Sequence, residues 1–540
     1  MAKPQPRVVQ PLFEGFLVRS ADGNAVRKRI AAVASGAAVV GTGWRTRELL
    51  PSLFHVIPPS GLDLAPKRAF AVARGLVGKG IDDAEAAFAT TGLQPVDPDR
   101  ELLPEERTTE PSRDKASPGK KGARKASTTA DYEWALKNAG VKSAWTKFNV
   151  SGAGVVVAHP DTGYTFHDEL DGPRLLWQQG YDYEGRDKDP QDELVGFFPK
   201  DNPGHGTATG SVIMSDRGPK SGRTAFVSGA AYDAKLVPLR VSTRVEHFSF
   251  VKLICALKDA KDAGLDVVSM SLGGPLQSDS LEVLVRDCVD AGMILIAAAG
   301  QVWPWVIYPA RLPEVIGVAA VESNDKPWWL SASGPTVDIS APGVDVWVAT
   351  AKKNRGGNKY DVEMSSGTSH ATAITAGIAC LWLEHHGGAA AVRANLGGRV
   401  GDVFRAALKK HARVPDGWKT DRHGAGIVDA ASALDASIGG KLRVGARGHV
   451  DTGPSWLALL PGMTLDDIDA ATALIHGKKA KQREPYDREL HFHLATNPAL
   501  RRAFRAKADV TGKKAGKKSS TGLARSALTG ISPDLAALLS

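Results

Sequence analysis

Residues 365–377 read SSGTSHATAITAG, and the rest of the chain reads most simply as scaffold and partners for one hydroxyl in that stretch, the hydroxyl of Ser369. Gly367 and Thr368 precede the serine and small, helix-compatible residues follow it, so the pattern predicts a tight turn entering a helix. A helix N-terminus offers unpaired N–H groups and the positive end of the macrodipole, both of which stabilise negative charge developing beside the serine. Alone, Gly-Thr-Ser is more commonly a capped turn than a nucleophile. Its partners have to come from elsewhere in the chain.

From about Asp131 to Ile438 short β-branched runs alternate with amphipathic segments. Val155–Ala158, Leu236–Val241, Val267–Met270 and Met293–Ala298 predict buried strands, and Phe248–Ala263 and Leu281–Ala291 predict the helices between them. This alternation gives an α/β fold with a mainly parallel sheet and helices on both faces. Sites in such sheets gather at the carboxyl ends of the strands. His159-Pro160-Asp161-Thr162-Gly163 follows the first strand and sets an acidic side chain at its end, although Asp-Thr-Gly is by itself an ordinary turn. Further on, Asp201-Asn202-Pro203-Gly204-His205-Gly206-Thr207 places a histidine between two glycines before a run of small residues. Such glycines admit close approach of other backbone, an odd requirement for a histidine that only fills a core. Asp161, His205 and Ser369, in that order, therefore form the candidate catalytic set.

That order, with the motifs around it, resembles the subtilisin family of serine peptidases. The resemblance covers about residues 131–438. It rests on DTG at Asp161, GHGT around His205, GTSHA around Ser369, SMSLGG at Ser269–Gly274, AAAG at Ala297–Gly300, YPARLPEVIGVAAV at Tyr308–Val321 and SAPGV at Ser340–Val344. It implies a subtilisin-like three-layer fold and a serine endopeptidase, a hydrolase acting on polypeptide through an Asp161–His205–Ser369 triad. It also implies an oxyanion site made by the Ser369 N–H and by a carboxamide at the residue after AAAG, here Gln301 where the family has asparagine. Ser271, Leu272 and Gly273, with Ala298, Ala299 and Gly300, would wall the cleft, and extended substrate would join them by strand addition.

Several positions depart from the family. Gln301 is followed by Val302-Trp303-Pro304-Trp305, Ala373 stands where proline is usual, and His370 stands where methionine is common. MSDRGPKSGRT, residues 214–224, occupies the place of the usual calcium loop. Calcium is thus allowed but unsupported by the sequence, with Glu169 either an oxygen ligand or a solvated carboxylate, and no metal or other cofactor is called for. The rival reading is an inactive subtilisin-like binding module that lost turnover along with the asparagine. An intact triad speaks against it, because binding alone does not need all three side chains.

The chain as a whole sets broader bounds. With 540 residues, 43% hydrophobic and 24% charged, it has the composition of a soluble globular protein of several domains and not of a disordered or membrane protein. Of the net charge of +9, most sits between Arg501 and Arg525, which hold nine Lys/Arg and one Asp. That basic tail suits weak polyanion contact. It lacks aromatics beyond Phe504, which disfavours a nucleic-acid binder as the main reading. Cys255, Cys288 and Cys380 lie in apolar helical patterns and read as buried thiols without disulfide or metal roles. The N-terminus lacks a secretory apolar region. The run Ile30–Val40 contains Gly36 and is too short to span a bilayer, so no transmembrane segment is expected and the cytoplasm is the expected location. Four regions follow: 1–103, a small α+β domain and candidate propeptide with a helix expected around Ala69–Ala89; 104–130, a charged flexible linker; 131–438, the peptidase-like domain; and 439–540, a C-terminal extension with the basic tail. His491-Phe492-His493 offers a metal pair in form, though two histidines without a third ligand are ordinarily structural.

Overall fold

The computed structural model describes residues 13–36, 43–59, 62, 64–88 and 130–438, the last span with gaps at 171, 195–200, 221–223, 248, 302–304 and 355–356. Beyond 438 it describes separated positions, among them Glu489, Leu490, Phe492 and His493, and a helix at Pro533–Leu539. The linker up to residue 129 and nearly all of the basic stretch 501–525 lie outside the described residues.

The N-terminal region folds as β1 (Phe13–Arg19), α1 (Gly23–Gly36), β2 (Arg45–Leu50), β3 (Leu53–Ile57), α2 (Pro66–Leu76) and β4 (Asp83–Phe88). Its strands form an antiparallel sheet in the order β2-β3-β1-β4. Alternation along β1 divides its side chains. Phe16 and Val18 join Val26, Ile30, Phe70 and Leu76 of the two helices in a local core, whereas Leu17 faces the other way into a core shared with the main domain. The helix expected around Ala69–Ala89 ends at Leu76, because Gly78 and Gly80 turn the chain through φ of 94° and 89°. Ala84, Ala86 and Ala87, which read as helical, lie in strand β4. Pairing with β1 overrides their propensity. The apolar run at Ile30 lies partly in α1, and among the described residues no helix is long and apolar enough to cross a membrane.

The main region begins with α3 (Trp134–Asn138) and α4 (Val141–Phe148), followed by β5 (Val156–Asp161), β6 (Tyr181–Asp182), α5 (His205–Met214), β7 (Lys235–Arg240), α6 (Val251–Asp262), β8 (Val267–Met270), α7 (Asp279–Asp290), β9 (Ile294–Ala298), β10 (Ile316–Val321), β11 (Ile339–Pro342), β12 (Val346–Asn354), β13 (Gly357–Ser365) and α8 (Thr368–His385). Seven strands form a parallel sheet in the order β11-β10-β9-β8-β5-β7-β6, and β12 and β13 form a separate antiparallel hairpin. Successive residues serve opposite faces. Val157, Val267, Ile294 and Ile296 pack with α5 and α8 on one side, and Ala158, Val268, Leu295 and Ala297 pack with α6 and α7 on the other. The chain leaves β5 to build one flank of the sheet and later returns beside it with β8, so the strand order reverses at β5. A crevice opens at the carboxyl end of such a strand, and Asp161 is the last residue of β5.

Helix α8 runs through the first core. Every residue from Thr368 to Leu383 is buried, including Trp382. Small side chains make this possible: a Cβ on Gly377 would lie 2.5 Å from that of Ala230. The buried hydroxyls of Thr372 and Thr375 are satisfied within the helix, donating to the carbonyls of Thr368 and Ala371 at 2.8 Å each. All three cysteines are buried free thiols, as the sequence indicates.

The N-terminal sheet sits on α6 and α7. Lys252 Nζ meets Glu14 Oε1 at 2.6 Å and Arg47 Nη2 meets Asp259 Oδ1 at 2.7 Å. Buried Glu85 accepts from Ser278 Oγ at 2.9 Å, Ser280 N at 3.0 Å and Ser280 Oγ at 2.7 Å. Ser278 is itself the N-cap of α7, so the carboxylate sits at the positive end of that helix. Replacing Glu85 by Ala should lower the unfolding free energy of the full chain by roughly 2–3 kcal/mol, the scale for buried donors losing a charged acceptor. Glu85→Gln should lose less, and urea denaturation of both variants beside the unaltered chain measures the difference.

Candidate active site

Three backbone turns bring the chemistry together. Asp161 ends β5, His205 is the first residue of α5 and Ser369 is the second residue of α8. Helix α5 can start against the Asp161 turn because residue 206 lacks a Cβ, which would lie 2.2 Å from the Gly163 carbonyl oxygen. Gly204, the residue before the helix, adopts φ of 79° and lies under the Ala351 carbonyl. Both glycines flanking His205 are thus needed for close approach, in agreement with the sequence reading.

His205 Nδ1 lies 2.7 Å from Asp161 Oδ1, and His205 Nε2 lies 3.0 Å from Ser369 Oγ. The Thr162 N–H donates to Asp161 Oδ1 at 2.7 Å, and Thr209 Oγ1 reaches Oδ2 at 3.3 Å. Burial pushes the Asp161 carboxyl upward, but the adjacent His205, by charge and hydrogen bond, outweighs it and holds the group below its ordinary value. An ionised Asp161 beside the Nδ1–H leaves the Nε2 lone pair facing the serine hydroxyl. The structure therefore brings together all three residues predicted from the sequence.

Gln301 reaches the same place. Its Oε1 accepts from Thr368 N at 2.9 Å and from Thr368 Oγ1 at 3.2 Å. A backbone N–H can only donate, so this contact fixes which end of the amide is oxygen. The Nε2 donor is then the outer end of a carboxamide anchored one residue before the nucleophile. The Ser369 N–H lies in the first turn of α8, where no intrahelical acceptor exists, and none is found for it among the described residues. Trp303 falls outside the described residues.

The cleft walls differ from the expectation. Ser271 Oγ donates to the Ser369 carbonyl at 3.1 Å, and the Ser271 carbonyl lies 3.4 Å from Ser369 Oγ, so this segment does flank the nucleophile. Leu272 is buried. Gly273, however, is already paired: its N–H donates to the Val245 carbonyl at 2.8 Å and its carbonyl accepts from His247 N at 2.7 Å. Arg244, next to that segment, is held by Asp201 at 2.9 Å in a buried ion pair. On the other wall Ala298 ends β9, Ala299 donates to the Val318 carbonyl at 2.9 Å and accepts from Ile307 N at 3.0 Å, and the Gly300 carbonyl accepts from Ala332 N at 2.8 Å. Strand addition at Gly273 thus meets an occupied edge.

Residues not singled out in the sequence support the site. Asp192, buried, accepts from Thr162 Oγ1 at 2.9 Å, Gly204 N at 2.7 Å and Leu194 N at 2.9 Å, tying the aspartate turn to the histidine turn. Burial pushes its carboxyl above the usual range. Thr209 lies one helical turn after His205, a spacing that marks it as facing the same way. No local pattern announces Asp192. His370 is buried in α8, where burial pushes its imidazole down to about 3. Glu169 is not a solvated carboxylate. It is 2% exposed and accepts from Ser215 Oγ at 2.6 Å. No group of three or more His, Cys, Asp or Glu that could hold a metal ion occurs among the described residues. His493 is buried beside the rings of Phe70 and Phe492, and His491 is outside the described residues.

Comparison with known proteins agrees with this geometry. A thermophilic serine proteinase of Bacillus sp. strain AK1 is 30% identical over 252 residues, 46% of this chain and 57% of that protein. A thermostable alkaline protease of Halalkalibacterium halodurans is 36% identical over 182 residues, 34% of this chain and 47% of that protein. The chain spans about half the length of the curated relatives it matches. Among solved structures, fervidolysin from Fervidobacterium pennivorans, described as a keratinolytic enzyme related to subtilisin, shares the fold with a TM-score of 0.53 at 20% identity, covering 80% of this chain and 62% of that one. The profile of the subtilase family matches residues 152–428, just over half the chain and the span that holds Asp161, His205 and Ser369, and the chain belongs to that family.

Proposed function

We propose that the chain is a serine endopeptidase that hydrolyses polypeptide through an acyl-enzyme on Ser369. The observation that carries this reading is the unbroken row Asp161–His205–Ser369 at the switch-point strand. A serine hydroxyl is a weak nucleophile at neutral pH, so His205 Nε2 takes its proton as Oγ attacks the scissile carbonyl. Asp161 orients the ring and stabilises the imidazolium that forms. The tetrahedral oxyanion is held by the Ser369 N–H, at the positive end of α8, and by Gln301 Nε2. His205 then protonates the leaving amine, and water repeats the sequence on the acyl group. A fluorophosphonate probe should label the unaltered chain and not Ser369→Ala. Folded protein that neither labels nor cleaves fluorescein-casein would sink the proposal.

Glutamine places its amide about one C–C bond, ~1.5 Å, further from the backbone than asparagine does, and the anchoring of Oε1 by Thr368 supports a folded-back side chain whose Nε2 still reaches the oxyanion. Gln301→Ala should lower kcat by about 10²–10³ with KM nearly unchanged, because the contact forms chiefly in the transition state. A silent substitution in an active enzyme would remove Gln301 from the mechanism.

Residues 1–103 are proposed as a releasable segment, supported by a sheet of their own and by a linker rich in Lys and Arg, including Lys120-Lys121 and Arg124-Lys125. Incubated unaltered protein should yield a product beginning between about Lys115 and Asp131, and Ser369→Ala should stay intact. N-terminal sequencing decides, and persistence of the full-length chain in an active preparation would make the segment a permanent domain. An extended peptide that takes Gly273 as its pairing partner has to displace Val245–His247. Polyanion contact by residues 501–525 is a separate proposal, supported only by their charge.

A further inference from the structure

Behind the Asp161 carboxylate lies a histidine that the mechanism above does not use. His159 is fully buried in β5, two residues before Asp161, with its Nε2 3.8 Å from Asp161 Oδ2 and 3.2 Å from Thr209 Oγ1. Its Nδ1 lies 2.5 Å from Tyr164 Oη. Tyr164 is 0% exposed, and a Cβ on Gly210 would lie 2.4 Å from its hydroxyl oxygen. Only a glycine at 210 leaves room for that phenol beside the helix. His159 of β5 and Thr209 of α5 thus approach one carboxylate oxygen, with Tyr164 from the turn after β5 behind the imidazole.

We propose that His159 is a positioning residue for Asp161, its ring oriented by Tyr164 so that Nε2–H faces the carboxylate oxygen that His205 does not occupy. This rests on the peptidase reading for its effect on turnover, although not for its geometry. Asp161 Oδ1 receives both the His205 Nδ1–H and the Thr162 N–H. Among the described residues Oδ2 has only the Thr209 hydroxyl as hydrogen-bond donor, and its single hydrogen is shared with the His205 carbonyl at 3.0 Å and the Gly206 carbonyl at 3.5 Å. At 3.8 Å from Oδ2 the His159 Nε2–H acts on the carboxylate by its dipole and through Thr209, whose Oγ1 accepts from Nε2 at 3.2 Å and donates to Oδ2 at 3.3 Å. The field of the carboxylate selects the tautomer of His159: a lone pair on Nε2 would face the anion, whereas an N–H there is attracted to it. Nδ1 then accepts the phenolic proton of Tyr164. Donation runs in one direction, from Tyr164 to His159 and on toward Thr209 and Asp161.

The charged and titratable groups facing this ring are Asp161 on its own strand, Tyr164 in the following turn and His205 on α5, with His370 on α8 acting on the same Asp161–His205 pair. Burial pushes His159 down to about 4 and raises Tyr164 well above its ordinary value, so neither changes charge near neutral pH. The network supplies dipoles. Removing one weakens the Thr209 donation to Asp161 and strengthens the carboxylate's hold on the protonated His205, so the acid limb of kcat/KM should move to higher pH.

His159→Leu in the full chain should lower kcat about tenfold with KM within about twofold, and move the acid limb up by about half a pH unit. Tyr164→Phe, which deletes a single oxygen, should move it in the same direction by less. His159→Gln, which keeps an N–H donor, should recover most of the loss. If His159 only fills space, His159→Leu lowers the melting temperature and leaves limb and kcat in place, and the proposal falls. Should His159→Leu fail to fold, Tyr164→Phe carries the same test. Titration of the ¹⁵N-labelled His205 ring in a Ser369→Ala background reads the pair without turnover. A shift there with His159→Leu or Tyr164→Phe supports the proposal even if the chain proves no peptidase, and an unmoved titration overturns it.

Discussion

The Asp161–His205 hydrogen bond depends on helix α5 beginning directly against the Gly163 carbonyl, and that start requires a residue 206 with no Cβ, because a methyl group would stand 2.2 Å from the oxygen. Much else follows from this contact. With α5 so close, the N–H of Gly204 and the hydroxyl of Thr162 share Asp192, and Thr209 arrives beneath the carboxylate one turn later. Helix α8 packs along the same core as α5, and its first turn presents Ser369 to the far nitrogen of the imidazole. An alanine at 206 would alter no titrating group, yet it would move the base relative to both partners. Misplacement on this scale is costly because the reacting atoms have to be held near 3 Å.

The interface with the N-terminal sheet is of a different kind. Charged groups of the sheet, Glu14, Arg47 and Glu85, meet Lys252 and Asp259 of α6 and the hydroxyls of Ser278 and Ser280 at the start of α7, with Leu17, Leu49, Leu50 and Leu53 supplying the apolar part. Ion pairs such as Arg47–Asp259, with both side chains about two-fifths exposed, add little in water. Leucines and the buried carboxylate at the α7 N-cap therefore dominate the attachment. Mixed polar and apolar contacts of this composition resemble those between domains that associate and separate, in contrast to the wholly buried packing around α8.

Much of the fold could be read from the chain because its signals are local. β-branched runs gave β7, β8 and β9 within a residue and β5 three residues short at its carboxyl end, and the glycines beside His205 announced a close approach that only Gly tolerates. What escaped was decided by distant partners. Ala84, Ala86 and Ala87 carry helical propensity but pair with β1. Asp192 looks like any loop acid until the fold sets Gly204 N against it. Pairing of Gly273 with Val245 and His247 joins segments from different loops, and no pattern in either forecasts it. The histidine in His-Pro-Asp-Thr-Gly was visible in the sequence, but its neighbours Tyr164 and Thr209 become neighbours only once α5 closes on the turn.

The burial of α8 bears on how long such a molecule survives among its own copies. A peptidase in solution is surrounded by potential attackers identical to itself, and a backbone can be cut only where several residues can extend into another cleft. From Thr368 to Leu383 nothing is available without opening the whole core. For the proposed peptidase, cleavage of the segment that bears Ser369 is therefore tied to global unfolding and not to local fraying. Exposing that segment to cleavage requires opening a core whose small side chains pack as closely as Gly377 on Ala230.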